Sequence, residues 1–240
     1  MKISRLTSAS LLLIAFNVSS TTVLADEAYM TGGHPYVGGA FGYGDILIPT
    51  NNIFTTPFLS TPETTSGTTG GSAYGVDAGY LYYQTHWAYG GELAYDHYPA
   101  STMNFNLEGA LPGNFDFKAS DIALLAVGKY FFTPQWNIVA KAGAAYVMNQ
   151  ASYSVNDYYN TVNNTQSNNI IAPVVGLGAG YQYSSHLGFS LEGQYIFAPE
   201  FNAQDWLGNA LSLGFDNKTP SKSDITSPLL AVRLGITYSL

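Results

Sequence analysis

The chain closes with LLAVRLGITYSL, residues 229–240, and this stretch decides the fold. Its large apolar side chains occupy alternate positions: Leu230, Val232, Leu234, Ile236, Tyr238 and Leu240. Small or polar side chains occupy the positions between them. Because successive side chains of a strand point to opposite faces, the stretch predicts a β-strand with one apolar face. Arginine is very costly in hydrocarbon, so we expect Arg233 on the other face to enter a closed interior that supplies carboxylate partners.

The amino terminus predicts export. Lys2 and Arg5 precede an apolar run over residues 11–18, and small side chains suitable for cleavage end at Ala25. The run is too short to span a membrane as a helix. We therefore expect residues 1–25 to be a signal peptide and residues 26–240 to form one outer-membrane β-barrel domain.

Composition excludes several classes of function. Removal of Lys2 and Arg5 from the eight basic residues leaves six against sixteen acidic ones, a net charge of −10, which argues against nucleic-acid binding. The chain has no cysteine, so it offers no disulfide and no thiolate ligand. Its four histidines lack metal-ligand spacing, and neither a metal nor a cofactor is expected. Only 10% of the residues are charged, and no apolar run after the signal approaches the roughly 20 residues of a spanning helix.

The period of two recurs along the whole chain. It predicts strands at residues 35–44, 72–84, 87–98, 120–131, 136–148, 171–183, 187–197 and 229–240. Short turns are predicted at residues 85–86, 133–135 and 184–186. The longer connections, rich in Thr, Asn, Ser and Pro, are predicted to be loops at residues 45–71, 149–169 and 199–227. A hairpin that turns at residues 111–114 is expected to carry the third and fourth strands beyond the bilayer.

These elements predict an all-β fold, an eight-stranded antiparallel up-and-down transmembrane β-barrel. Three short turns alternate with four long connections, and such barrels place the short turns in the periplasm and the long loops outside the cell.

A sequence repeat places charged residues at one depth. Trp87, Trp136 and Leu187 open strands 49 and 51 residues apart. The fifth residue after each is charged, which gives Glu92, Lys141 and Glu192, about 16 Å of strand from the turns. Arg233 falls at a similar level, and an eight-stranded barrel has room inside only for side chains, so these four groups are expected to meet. Four further charged residues are expected inside at other depths: Lys129, Asp77, Asp96 and Asp121.

Buried charges persist when they are paired, so we interpret this network as a structural plug, with an ion-conducting gate as the alternative. Outward aromatic residues near the turns predict a girdle at the level of the lipid headgroups. The girdle is predicted to contain Trp87, Trp136, Tyr82, Tyr130, Tyr183 and Tyr238.

A catalytic site is the weakest of the hypotheses. Asp96, His97 and Ser101 together suggest a lipid-modifying hydrolase. However, Asp96 and His97 are neighbours on a strand and face opposite ways, and no nucleophile motif surrounds Ser101. We therefore expect a protein without catalytic residues.

With these features, the chain resembles the small outer-membrane barrels of the OmpA transmembrane-domain and opacity-protein type. The resemblance covers essentially the whole chain after the signal, and residues 233–240 look like the family's carboxyl-terminal assembly signal, which involves Tyr238 and Leu240. It implies location in the outer membrane of a Gram-negative bacterium, with contacts to outer-membrane lipid and the barrel-assembly machinery. Because no sequence follows the last strand, a peptidoglycan-binding domain is not expected.

The leading functional hypothesis is a non-enzymatic anchor whose four outer loops give it an adhesin-like or antigen-like role toward host or surface ligands. The alternative is a narrow porin that passes small solutes or ions. An outer-membrane lipid-modifying enzyme is the third hypothesis.

Overall fold

The computed structural model describes residues 30–47, 63–68, 70–107, 111–156, 161–198 and 227–240. The predicted signal peptide lies outside the described residues. In the part of the chain that is described, no helix has the length and apolar character needed to cross a membrane.

The described chain is built from strands that pair only in the antiparallel sense. These strands are β1 Gly32–Ile46, β2 Glu63–Thr68, β3 Gly70–Gln84, β4 Trp87–His97, β5 Ser101–Leu107, β6 Leu111–Phe131, β7 Trp136–Asn156, β8 Thr161–Gln182, β9 Leu187–Ile196 and β10 Leu229–Ser239.

Eight of these strands close into a barrel, which confirms the predicted fold class. The order around the barrel is β1, β3, β4, β6, β7, β8, β9 and β10, and β10 pairs with β1 to complete the ring. The other two strands, β2 and β5, extend the sheet from the edge of β6. Closure leaves no unpaired strand edge in the part of the ring that all eight strands share, as a lipid environment requires.

Hydroxyl groups stabilise two of the three tight turns. Thr133 Oγ1 accepts hydrogen bonds from the backbone N–H groups of Gln135 and Trp136 at 3.3 and 2.9 Å. Ser184 Oγ does the same for His186 and Leu187 at 3.3 and 3.1 Å. Such local bonds offer the backbone a turn in place of the strand ladder, so these strands end where the sequence predicts.

The loop end of the barrel differs from the sequence prediction in three places. Strand β2 lies inside the predicted loop 45–71, and β7 and β8 continue through most of the predicted loop 149–169. Residues 111–114, predicted as a turn, belong to β6, where Leu111 pairs with Leu107. The two loops were predicted from Asn, Ser and Thr content and the turn from Pro112 and Gly113, yet above the lipid a strand needs no apolar outer face.

Side-chain direction follows the predicted alternation, including where polarity is ambiguous. Leu124 is 69% exposed on the outer surface, whereas its neighbour Leu125 is 2% exposed inside the barrel. Val127 is likewise buried inside. The hydrophobic core therefore lies in the lumen, and the apolar outer surface is the face that meets lipid.

Candidate functional site

The lumen is layered along the barrel axis, with charged side chains between two apolar layers. Six side chains, each at most 1% exposed, form the loop-end layer: Ile46, Phe117, Val147, Val174, Ile196 and Leu229. Four side chains, each at most 5% exposed, form the turn-end layer: Leu81, Tyr83, Phe131 and Val139. Both ends of the charged layer are therefore sealed by apolar groups.

The first charged cluster is centred on Lys141 of β7. Its Nζ atom lies 2.9 Å from Glu92 Oε1 on β4 and 2.8 Å from Glu192 Oε2 on β9. The Tyr36 hydroxyl of β1 donates a 2.6 Å hydrogen bond to the other oxygen of Glu92. One ammonium group thus bridges two carboxylates across the lumen, and charge-assisted bonds of this kind are the strong ones.

The second cluster is centred on Arg233 of β10. Its guanidinium forms an ion pair with Asp96 of β4 and also donates to Gln194 Oε1 on β9. Gln194 Nε2 in turn donates to Asp96 Oδ2 at 3.1 Å. The three side chains form a closed triangle in which Asp96 and Gln194 both contact the buried guanidinium.

The structure divides the four residues expected to meet between these two clusters. Glu92, Lys141 and Glu192 lie together, whereas Arg233 contacts Asp96, which was expected at another depth. Arg233 is the register partner of Glu192, but its long side chain reaches toward the loop end.

The two clusters line one small central cavity with a volume of about 30 Å³. A cavity needs about 10–15 Å³ to hold a water molecule, so this one has room for about two. Three cationic residues line it: Lys129, Lys141 and Arg233. Four carboxylates line it: Asp77, Glu92, Asp96 and Glu192. Asp121, the last predicted lumen charge, is fully buried nearby, in register with Asp96.

Glycines on the lumen face make the space for these charged groups. A Cβ atom built on Gly38 would lie 2.5 Å from Asp77 Oδ2, and one on Gly178 would lie 2.7 Å from Glu192 Cγ. Gly75 faces the Arg233 and Asp96 pair, where an added Cβ would lie 3.1 Å from Arg233 Nη1. The glycine repeat at residues 176, 178 and 180 is therefore explained by packing.

The arrangement supports ion pairing and does not assemble the hydrolase constellation. Asp96 is held by Arg233 inside the lumen, whereas His97 lies on the outer face with its ring centroid 4.9 Å from that of Tyr74. Ser101 is fully buried. Over the described ranges, no group of three or more His, Cys, Asp or Glu side chains is placed to hold a metal ion.

Comparison with known proteins identifies the family. Residues 35–205 match the model of the OmpA-like transmembrane domain. The chain belongs to this family. No curated protein matches it by sequence.

Three solved structures are similar to this OmpA-like barrel. Ail of Yersinia pestis is 10% identical with a TM-score of 0.40, over 88% of this chain and 100% of that one. OprG from Pseudomonas aeruginosa is 12% identical with a TM-score of 0.44, over 89% and 98%. The outer membrane protease OmpT from Escherichia coli is 8% identical with a TM-score of 0.47, over 87% and 96%.

The aromatic residues predicted for the girdle of the OmpA-like barrel all lie outward near the turn end. Each is between 41 and 58% exposed: Tyr82, Trp87, Tyr130, Trp136, Tyr183 and Tyr238. Trp87 and Tyr130 are in ring contact across β4 and β6, with centroids 4.7 Å apart. Rings with an apolar body and a polar edge suit the level of the headgroups.

Two uncharged lumen residues of the OmpA-like barrel, Tyr36 and Gln194, take part in the ion-paired clusters. The sequence pattern places both on the inward face, but neither belongs to the predicted charge network. Gln194 lies two residues after Glu192 and therefore on the same strand face, and Tyr36 is the largest side chain on a face otherwise lined by glycine and alanine. Neither side chain is charged, so a pattern of charged residues at fixed depth does not include them.

Proposed function

We propose that this OmpA-like barrel is a surface-interaction protein, an outer-membrane anchor whose loop end binds a host or surface ligand. The observation that carries the proposal is the contrast between a filled lumen and an extended loop end. A barrel with a filled lumen and an extended loop end is better suited to binding a ligand than to passing solutes.

The extension consists of β5 and the loop-end parts of β6, β7 and β8. Strands β6, β7 and β8 contain 21, 21 and 22 residues, whereas β4, β9 and β10 contain 11, 10 and 11. The extra ten residues correspond to about 33 Å of strand before tilt. The extension therefore stands well above the roughly 25 Å apolar band of an outer-membrane barrel.

The extension is a two-faced sheet rather than a set of loose loops. Its inner face buries Met103, Phe115 and Phe117. Its outer face exposes amide, hydroxyl and amino groups of Asn104, Lys118, Gln150, Asn163, Thr165 and Ser167. A rigid scaffold with an adaptable polar surface is the usual setting for a binding site.

The lumen supports the same conclusion, because both apolar layers would have to part before an ion could pass. The central cavity has a volume of about 30 Å³, and five of the seven charged residues that line it are held in ion pairs. A narrow porin would need that ion-paired network to open, which leaves buried charges without partners at considerable cost.

Replacement of residues 150–167 by an Asn-Gly turn tests the proposal, because it removes most of the β7–β8 extension. Bacteria that display the shortened protein should lose attachment to host cells or coated surfaces. Folding is checked by the shift in electrophoretic mobility on heating. A second variant shortens the β5–β6 hairpin, residues 103–115, and if neither folded variant loses attachment, the proposal is wrong.

Planar-bilayer recording separates the anchor from the pore. The intact barrel should give no stable, discrete openings. Openings that persist in the intact protein would favour the narrow porin and contradict a closed anchor.

We further propose that Tyr238 and Leu240 form the signal for the barrel-assembly machinery. Both lie on the outward face of the terminal strand, at 49 and 65% exposure. Replacement of both by Ser should lower the amount of folded protein in the outer membrane. Unchanged amounts would rule out this role.

A further inference from the structure

The outer surface carries an apolar groove where β1 meets β10, close to the turn end. It is shallow and open along its length, with a volume of about 540 Å³. The walls are the outward side chains Val37, Phe41, Leu234, Ile236 and Tyr238, and the floor is Gly39. The groove exists because Gly39 has no side chain on a face otherwise lined by large ones.

We propose that this groove is a site for one acyl chain of a phospholipid in the periplasmic leaflet. It is continuous with the lipid-facing surface, since its walls are between 47 and 62% exposed and belong to the apolar outer face. Hydrocarbon is therefore the medium that fills it.

The depth of the groove selects the leaflet. At the turn end it is bounded by Val37 and Tyr238, which are register partners at the level of the girdle. At the other end it is bounded by Phe41 and Leu234, four residues further along each strand, which is about 13 Å. Strands tilted by about 35–45° rise about 9–11 Å over this length, a little less than half of the roughly 25 Å apolar band, so the groove lies within the leaflet on the side of the short turns.

Polar groups at the turn end are placed to receive the headgroup. The His186 ring lies with its centroid 5.9 Å from that of Tyr238. The Ser185 hydroxyl lies 2.8 Å from His186 Nδ1. An aromatic hydroxyl and an imidazole at the mouth of an apolar groove match the two parts of a phospholipid, a polar head and an apolar chain.

Two lipid-facing glycines provide a matched pair of variants. An added Cβ at Gly39 would have Gly75 O as its nearest atom at 3.8 Å, and one at Gly193 of β9 would have Leu177 O at 3.8 Å. Both positions have room for a Cβ atom, so Gly39→Leu places an apolar side chain in the groove and Gly193→Leu adds the same group elsewhere on the lipid face. Gly39→Ala fills the groove only in part.

Native mass spectrometry of the full chain, mixed with phosphatidylethanolamine in detergent, measures the phospholipids retained as collision energy rises. The native chain and Gly193→Leu should retain about one phospholipid at energies that strip the rest. Gly39→Leu should lose it, and Gly39→Ala should retain an intermediate fraction. Heat-shift electrophoresis confirms that each variant is folded.

Four results would overturn the proposal. Gly39→Leu could retain the phospholipid as well as the native chain does, or Gly193→Leu could lose it equally. A dimer that Gly39→Leu abolishes would show that the groove holds a second copy of the chain. Retention of lipopolysaccharide in preference to phospholipid, when both are present, would place the occupant in the other leaflet.

Discussion

At the turn end of the barrel, β7 begins at Trp136 and β9 at Leu187, where the sequence pattern places them, whereas at the loop end β8 begins at Thr161, ten residues before the predicted start. The two ends are made of the same kind of strand. They differ in what surrounds them, because lipid imposes an apolar outer face and water does not. The period of two in hydrophobicity is therefore clear where each strand crosses the membrane and is lost where β8 rises above it.

The difference between the membrane-spanning part and the extension also determines how strongly substitutions should lower stability. Within the membrane, the charges of the lumen are buried and depend on one another. In the extension, the polar side chains are exposed on one face and can exchange protein partners for water. Lumen variants should therefore cost much more stability than variants of the extension, and the following experiments test that difference.

Lys141→Met should have the largest effect. It leaves Glu92 and Glu192 buried without their shared cation, and breaking a buried ion pair costs about 3–5 kcal/mol. The matched control is Lys118→Met on the exposed face of β6, which should change the free energy of unfolding by less than about 0.5 kcal/mol. Urea unfolding in lipid vesicles measures both. Equal losses would abolish the distinction between the two regions.

Arg233→Ala should cost somewhat less, about 2–4 kcal/mol, because Gln194 still donates to the Asp96 carboxylate. Adding Asp96→Asn removes the unpaired charge and should restore part of the loss. The same unfolding assay on the single and double variants gives the coupling free energy between Arg233 and Asp96. If the double variant is less stable than Arg233→Ala alone, the pairing of these two residues is not what stabilises the second cluster.

Gly75→Ala should have an intermediate effect, about 1–3 kcal/mol, since the new methyl group has to displace the Arg233 and Asp96 pair. Gly39→Ala is the control on the lipid-facing side of the barrel, where an added Cβ would lie 3.8 Å from its nearest neighbouring atom. It should change stability by less than about 0.5 kcal/mol. Similar thermal shifts for the two would show that lumen glycines are not needed for room.

Much of the fold could be predicted from the sequence because each strand that spans the membrane needs apolar side chains on its lipid-facing side. Residues 72–84, 187–197 and 229–240 match β3, β9 and β10 closely. Residues 149–156 and 161–169 could not be recognised as strands, since Asn, Ser and Thr there satisfy a water-facing sheet as well as a loop.

The lumen residues could be predicted by strand face and by distance from the turns, but their partners could not. Strand tilt and side-chain length decide which groups touch, so Arg233 passes its register partner Glu192 and reaches Asp96. Uncharged partners such as Tyr36 and Gln194 give no signal in a search for opposite charges. The position of a residue along its strand determines which face it occupies, whereas its contacts depend on three-dimensional packing.

Ser152→Ala should have the smallest effect of the set. It removes the 3.1 Å hydrogen bond between Ser152 and Thr165 that links β7 and β8 on the outer face of the extension. Water can replace an exposed hydroxyl partner, so the loss should be below about 0.5 kcal/mol. Thr165→Ala should behave alike, and the double variant should add nothing further. A loss comparable to that of Gly75→Ala would mean that the extension depends on its polar contacts as tightly as the lumen does, and the proposed contrast between the two regions would fail.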